Sequence, residues 1–136
     1  MKKITFIAIL TSSWMGAQTY SLDVSMSGLE SNDGKVKIGL YNSEPSFLKT
    51  TYKTAVSEIN GKTATVTFGE LPKGDYAISL YHDENNNGVL DRNMFGIPSE
   101  DYASSNNAKG TMGPPSYGDA KFTVNANSKI RITLNN

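Results

Sequence analysis

Short runs of alternating apolar and polar residues dominate the chain, and each run ends at Gly, Asn or Asp. The first run alternates Leu22, Val24 and Met26 with polar residues. Alternation with a period of two is typical of a strand with one buried face. Six further runs occupy residues 36–40, 52–59, 63–68, 76–81, 120–124 and 130–134. The pattern therefore predicts about seven strands.

Turn residues between these runs indicate how the strands are connected. Asn60 and Gly61 separate the third and fourth runs, and this dipeptide suits a tight hairpin turn because both residues tolerate a positive φ. No stretch of ten or more residues carries a clean helical period. The sequence predicts an all-β fold, a single antiparallel β-sandwich of the immunoglobulin-like or transthyretin-like kind.

The alternation stops between Asp83 and Gly118, so the predicted strands five and six are joined by one long loop. Structureless loops longer than about 12 to 15 residues are uncommon in compact domains. We therefore expect an ion or local packing to order this loop, or the loop to be mobile.

The N-terminus has the order of a secretory signal peptide: Lys2 and Lys3, an apolar run from Ile4 to Leu10, then small and polar residues. We place the cleavage after Ala17, which leaves residues 18–136 as one domain. The apolar run is too short to span a membrane, which takes about 20 residues, and no second one follows. The sequence thus predicts export to the periplasm or the extracellular space.

Charge and cysteine content exclude several classes of protein. The 13 Lys and Arg residues balance the 13 Asp and Glu residues, and no basic cluster occurs. Because nucleic-acid binding requires a basic surface, a nucleic-acid partner is not expected. The absence of cysteine rules out disulfides, thiolate zinc sites and thiol catalysis.

The long loop begins with oxygen-bearing side chains at every second position. Calcium takes about six to eight oxygen ligands, and a calcium loop presents side chains one, three and five before a glycine, followed by a backbone carbonyl and a later carboxylate. The candidate ligands are Asp83, Asn85, Asn87, the carbonyl of Val89 and Asp91, with Glu100 or Asp101 as further ligands. Met94 stands where an EF-hand has its bidentate glutamate. The other interpretation is an Asn-rich turn whose side chains bond to their own backbone.

Catalysis has weaker support in the residues. His82 is the single histidine and no Gly-x-Ser-x-Gly motif occurs, so a hydrolytic triad is not indicated. Neighbouring residues on a strand point to opposite faces, so Asp83 is poorly placed to orient His82. We assign no catalytic residue. The alternative to a calcium-stabilised module is a carbohydrate-binding or hydrolytic module, in which Tyr81, Tyr102 and Tyr117 join the acidic residues.

The later part of the loop mixes aromatic and turn residues, including Met94 to Pro98 and Gly113 to Tyr117. Such a mixture can pack as a lid on one sheet or present a recognition surface. We expect packing.

Several of these residues carry a resemblance to a known family. They run from Gly74 to Ala77, from His82 to Asn85, then Asn87, Gly88, Asp91, Phe95 to Pro98, Glu100, Ser105 to Ala108, Pro114 to Ser116 and Ala120. In these residues the chain resembles the bacterial domain-of-unknown-function family numbered 2141, over essentially all of residues 18–136. The resemblance implies a small exported, mostly β protein with no established activity.

Together these observations favour a non-catalytic binding or structural module whose Asp- and Asn-rich loop binds calcium. Its partner would be a protein or a glycan at the cell envelope.

Overall fold

The computed structural model describes residues 18–134. The predicted signal peptide, residues 1–17, lies outside the described residues. The described part is almost entirely β-structure. In chain order its elements are β1 (Thr19–Ser27), β2 (Lys35–Tyr41), β3 (Lys53–Ser57), β4 (Ala64–Pro72), β5 (Gly74–Asp83), β6 (Tyr102–Ser104), a 3-10 turn (Ser105–Asn107), α1 (Tyr117–Ala120), β7 (Phe122–Val124) and β8 (Ser128–Thr133).

The strands form two sheets, which confirms the all-β sandwich. One sheet has the order β4-β1-β8, and the other has the order β3-β2-β5-β6, with β7 also paired to β5. Two features differ from the expectation. Eight strands are present among residues 18–134, and the pairing of β1 with β8 is parallel whereas the others are antiparallel.

The core lies between the sheets and consists of the alternating apolar residues. Leu22, Val24 and Met26 of β1 are at most 1% exposed. The same buried cluster includes Val36, Ile38 and Leu40 of β2 and Tyr76, Ile78 and Leu80 of β5. These positions are the ones that the period of two predicts. A tight hairpin turn lies where it is predicted, because Asn60 and Thr63 exchange both backbone hydrogen bonds, at 3.0 and 3.1 Å. Its two central residues are Gly61 and Lys62, with φ of 60° and 59°, rather than Asn60 and Gly61.

A smaller cluster covers part of the outer face of the five-stranded sheet. Tyr41, Phe47, Ala77 and Ala120 are buried in it, and Tyr117 packs against it. Tyr117 comes from the long interval, so this part of the interval packs on a sheet as expected. Ala120 itself lies in α1 rather than in the predicted sixth strand.

The long interval is thus divided by structure of its own. The segment 84–101 is a loop between β5 and β6, and β6 then adds a fourth strand beside β5. The loop begins and ends at neighbouring strands, because the His82 N–H donates to the Asp101 carbonyl at 2.8 Å. Both ends of the loop are therefore fixed to the sheet.

Candidate functional site

The candidate loop comprises residues 83–91. It begins at the last residue of β5, Asp83, which is 1% exposed. Its carboxylate accepts two backbone N–H groups, from Asn87 at 3.2 Å and from Gly88 at 2.8 Å. Gly88 has a φ of 85°, which a side chain would disfavour. Asp83 therefore curls residues 84–88 around its own carboxylate.

Asn85, Asn87 and Asp91 meet on the exposed side of this curl. The side-chain amides of Asn85 and Asn87 donate to the two oxygens of Asp91, at 2.7 and 2.6 Å. Their own amide oxygens accept the backbone N–H groups of Asn87 and Val89, at 3.3 and 3.1 Å. The hydrogen bonds from Asn87 and then Asn85 lower the pKa of Asp91, because they stabilise its charged form.

Glu100, just before β6, connects the two ends of the candidate loop. It is 8% exposed, and its two oxygens accept the backbone N–H groups of Glu84 at 2.8 Å and of Asp91 at 2.9 Å. One carboxylate thus fixes the beginning and the end of the loop. The sequence names Glu100 or Asp101 as a further ligand, and the Glu100 carboxylate bonds to the loop.

Tyr81 holds the middle of the loop on the sheet. Its hydroxyl donates to the Gly88 carbonyl at 3.0 Å. Burial raises the pKa of Tyr81, and so do the nearby negative charges, with Asp83 first among them. The acidic side chains of the loop therefore lie close enough together to act on one phenol.

The oxygen-bearing side chains that the sequence names are hydrogen-bonded within the structure itself. Asp83, Asn85, Asn87, Asp91 and Glu100 are joined in one hydrogen-bonded network, and Val89 takes part through its backbone N–H. Among residues 18–134, no three His, Cys, Asp or Glu side chains form a group that could hold a metal ion. A cation would need the amide and carbonyl oxygens as well, which calcium accepts.

His82 precedes Asp83 on β5 and is fully buried. Its Nε2 atom is 2.6 Å from the Asp33 carbonyl oxygen. Asp83 and His82 do not contact each other's side chains in the manner of a catalytic pair, as their adjacent positions on a strand predict. A substrate in solvent would not reach this imidazole.

The three tyrosines of the alternative site are only partly brought together. Tyr81 and Tyr102 are cross-strand partners on β5 and β6, so their side chains lie on the same face of the sheet. Tyr117 lies elsewhere and stacks edge-on against Phe47, with ring centroids 5.7 Å apart. A cleft of about 490 Å³ adjoins Tyr102 and is lined by Ser104, Asn107 and Lys109 among others.

The expectation that the segment from Met94 to Pro98 packs on a sheet is wrong. Met94 is 92% exposed, Phe95 80% and Ile97 59%. These three side chains are exposed although the segment is ordered by hydrogen bonds of its own, from the Phe95 and Ile97 N–H groups to the Asn93 side chain.

Comparison with protein families identifies the same family that the residues of this loop resemble. A family model described as an uncharacterized protein conserved in bacteria (DUF2141) matches residues 24–132. The chain belongs to this family. The matched DUF2141 region includes the last four residues of β1, all but the last residue of β8 and all of the strands between them, together with the entire candidate loop. No curated protein and no solved structure matches the chain.

Within this DUF2141 domain, the sequence alone missed two contacts that position the loop. Gly34, in the β1–β2 turn, lies so close to β5 that an added Cβ would be 1.9 Å from the Asp83 carbonyl oxygen. Asp33, next to it, binds His82. The Ser-Asn-Asp-Gly sequence signals a turn, but its packing against a residue 49 positions later has no local signal.

Proposed function

We propose that the protein is an exported, non-catalytic binding or structural module whose loop from Asp83 to Asp91 binds calcium. The observation that carries this proposal is the bonding within one loop: the Asn85 and Asn87 side chains meet Asp91, while the carboxylates of Asp83 and Glu100 accept N–H groups of the loop backbone. Asp83, Asn85, Asn87 and Asp91 occur at the spacing of a calcium loop, with Gly88 at the sharp turn.

The bonding of the carboxylates supports this assignment. Each Asp83 oxygen accepts one backbone N–H, and a carboxylate oxygen can accept a second contact. Asp91 lies on the outside of the loop, where an ion can arrive from solvent without unfolding it. Calcium would replace the amide donors that now contact Asp91, and the Asn85 and Asn87 side chains would turn their oxygens toward the ion. Binding therefore requires rotation of these side chains and exchange of the hydrogen bonds that their amide oxygens accept from the Asn87 and Val89 N–H groups.

A site built from two or three carboxylates and neutral oxygens has the weak affinity of extracellular modules, about 0.1 to 1 mM. At about 1 mM calcium, a site with a dissociation constant near 0.1 mM adds about 1.4 kcal/mol to the free energy of unfolding. For a domain of this size the unfolding midpoint would rise by roughly 4 °C. This shift is the first quantity to measure.

The test compares thermal unfolding in calcium, in magnesium and in chelator, for the wild type and for Asp91→Asn. Asp91→Asn keeps the shape of the side chain but removes its charge, whereas Asp83 variants would also disturb the buried turn. We expect the calcium shift to fall by more than half in Asp91→Asn and to persist in Glu44→Gln, which changes an exposed acid just after β2. The end of β2 nearest Glu44 pairs with Ala77, whereas Asp83 pairs with Lys35 at the opposite end of that strand. Equal shifts in calcium and magnesium, or none in either, would contradict the proposal.

Export is tested separately. We expect the protein recovered from the periplasm or medium of a Gram-negative host to lack residues 1–17, which intact-mass measurement detects. A full-length mass in the cytoplasmic fraction would show that the N-terminal segment is not a signal peptide.

A second candidate function is carbohydrate binding at the Tyr81–Tyr102 pair. The observation that favours it is the position of these two rings on one sheet face, where Tyr102 also lines the 490 Å³ cleft together with Lys109. Sugars stack on such aromatic surfaces. Saturable binding of a glycan that is independent of calcium and is lost in Tyr102→Ala would favour this function over the calcium module.

A further inference from the structure

Residues 91–99 form a narrow hairpin, here called the finger, which projects from the candidate loop. Its base is closed by a hydrogen bond from the Ser99 N–H to the Asp91 carbonyl, at 2.8 Å. The two sides pair again at Arg92 and Pro98, and the Asn93 N–H donates to the Ile97 carbonyl at 2.8 Å. The finger is therefore an ordered element rather than a loose loop.

The turn at the end of the finger is organised by Asn93. Its side-chain oxygen accepts the N–H groups of Phe95 at 2.9 Å and of Ile97 at 3.1 Å, and its carbonyl accepts the Gly96 N–H at 3.0 Å. The Arg92 guanidinium donates to the Gly96 carbonyl at 3.0 Å. Most polar backbone groups of the turn are thereby satisfied inside the finger.

This ordered turn presents three large apolar side chains to solvent. Met94, Phe95 and Ile97 are 92%, 80% and 59% exposed. Single exposed apolar residues are common, but a concentration of them at the end of a projecting element marks an interaction site. No packing against the described body of the protein accounts for them.

We propose that the finger docks on an anionic lipid surface, with Met94, Phe95 and Ile97 inserted among the acyl chains and Arg92 at the level of the phosphates. A convex tip needs no matching cavity in a fluid bilayer, whereas a protein partner would have to supply one. Backbone groups that enter an apolar medium must be hydrogen-bonded, and Asn93 and Arg92 meet this requirement for the N–H groups of Phe95 and Ile97 and for the Gly96 carbonyl. Arg92 is also the only charged residue between positions 92 and 98.

The charge at the base of the finger makes docking dependent on calcium, and in this respect the inference rests on the proposed function. The segment from Asp83 to Asp101 carries five carboxylates against the single guanidinium of Arg92. Without a cation these carboxylates repel anionic headgroups. Asp91 belongs both to the candidate loop and to the base of the finger. Calcium bound at the loop therefore reduces the repulsion at the base of the finger.

Vesicle sedimentation tests the proposal with the processed protein, so that every variant has the same N-terminus. The vesicles are phosphatidylcholine with or without phosphatidylglycerol, in millimolar calcium or in chelator. We expect Phe95→Ser to lower the partition coefficient about tenfold and Met94→Ser with Phe95→Ser to lower it roughly a hundredfold. Met112→Ser is the matched control, because Met112 is 100% exposed but lies outside the finger.

A second measurement reports insertion directly. In Phe95→Trp, we expect the indole emission to shift to shorter wavelength on binding to phosphatidylglycerol vesicles and to become accessible to a lipid-borne quencher. Vesicle binding that is equal in the wild type and in the double variant would overturn the proposal, as would failure of the wild type to bind any vesicle in calcium. A dimer that dissociates in Phe95→Ser would assign the finger to a second copy of the chain instead, and would also overturn it.

Failure of the two proposals can be told apart. If calcium raises the unfolding midpoint but no vesicle binds, the calcium loop stands and the lipid inference is wrong. If calcium has no effect on unfolding but binding to anionic vesicles still depends on Phe95, the finger docks without calcium and the proposed function is wrong.

Discussion

The Nε2 atom of His82 lies 2.6 Å from the backbone carbonyl oxygen of Asp33 and joins the end of β5 to the turn between β1 and β2. Because a carbonyl can only accept, Nε2 carries the proton. The other ring nitrogen, Nδ1, is buried without a hydrogen-bond partner and lies 3.6 Å from a carboxylate oxygen of Glu84. The single histidine thus anchors the start of the candidate loop.

Replacing His82 should destabilise the fold by breaking this anchor. We expect His82→Leu to lower the free energy of unfolding by about 1 to 2 kcal/mol, since the Asp33 carbonyl loses its donor. Urea unfolding measures the change. His82→Gln retains an N–H donor of similar reach and should recover part of the loss. A leucine variant as stable as the wild type would show that the hydrogen bond contributes nothing.

A second prediction concerns the effect of acid on the loop. The pKa of Asp91 is lower in the folded chain than its ordinary value, chiefly through Asn87 and then Asn85. A carboxyl group with a depressed folded pKa stabilises the fold above its unfolded pKa, about 4, and this contribution disappears as the pH falls through the folded pKa. We expect Asn87→Ala to raise the Asp91 pKa more than Asn85→Ala does, as measured by NMR titration of its carboxyl carbon. An equal or opposite order would contradict the assignment of causes.

The strands could be predicted from the sequence because alternation reports burial directly. Leu22, Val24 and Met26 are buried as the period of two requires. The pattern carries no information about strand direction, so the parallel pairing of β1 with β8 was not predictable. The eighth strand, β6, was not predicted either, because its three residues are too few to show an alternation of apolar and polar residues.

The candidate loop was predictable in its residues but not in its contacts. The spacing of Asp83, Asn85, Asn87 and Asp91 is local, and the structure joins these side chains. The approach of Gly34 to Asp83 depends on the packing of two strands distant in sequence. The exposure of Phe95 could not be predicted either, because the local sequence does not show whether an apolar loop residue packs on the protein or points into solvent.

Ser105 provides a third prediction, because its side chain connects two segments in the interior. Its hydroxyl accepts the Ile78 N–H at 2.9 Å and donates to the Ala120 carbonyl at 2.5 Å, and the residue is fully buried. Ser105→Ala leaves both buried backbone groups without this partner. We expect a loss of about 1 to 3 kcal/mol in urea unfolding and faster amide exchange at Ile78. Ser57→Ala is the matched control, because the Ser57 hydroxyl donates to the carbonyl of the neighbouring Glu58 and this hydrogen bond is exposed. It should change the free energy of unfolding by less than about 0.5 kcal/mol.

The fourth prediction tests whether the β1–β2 turn positions the loop. Gly34 has a φ of 69°, and an added Cβ would lie 1.9 Å from the Asp83 carbonyl oxygen and 2.7 Å from Glu84. Gly34→Ala must therefore push the turn away from the end of β5, and we expect a loss of about 2 to 4 kcal/mol.

Gly61→Ala is the matched control for Gly34→Ala. Gly61 has a φ of 60°, but a Cβ added there would meet no atom within 4 Å, so only the backbone cost of about 1 kcal/mol remains. Urea unfolding gives both values, and amide chemical shifts of residues 83–91 show where each change acts. If the contact positions the loop, these shifts move in Gly34→Ala and stay fixed in Gly61→Ala. Equal losses in the two variants, with the loop shifts unchanged, would show that the turn does not support the loop.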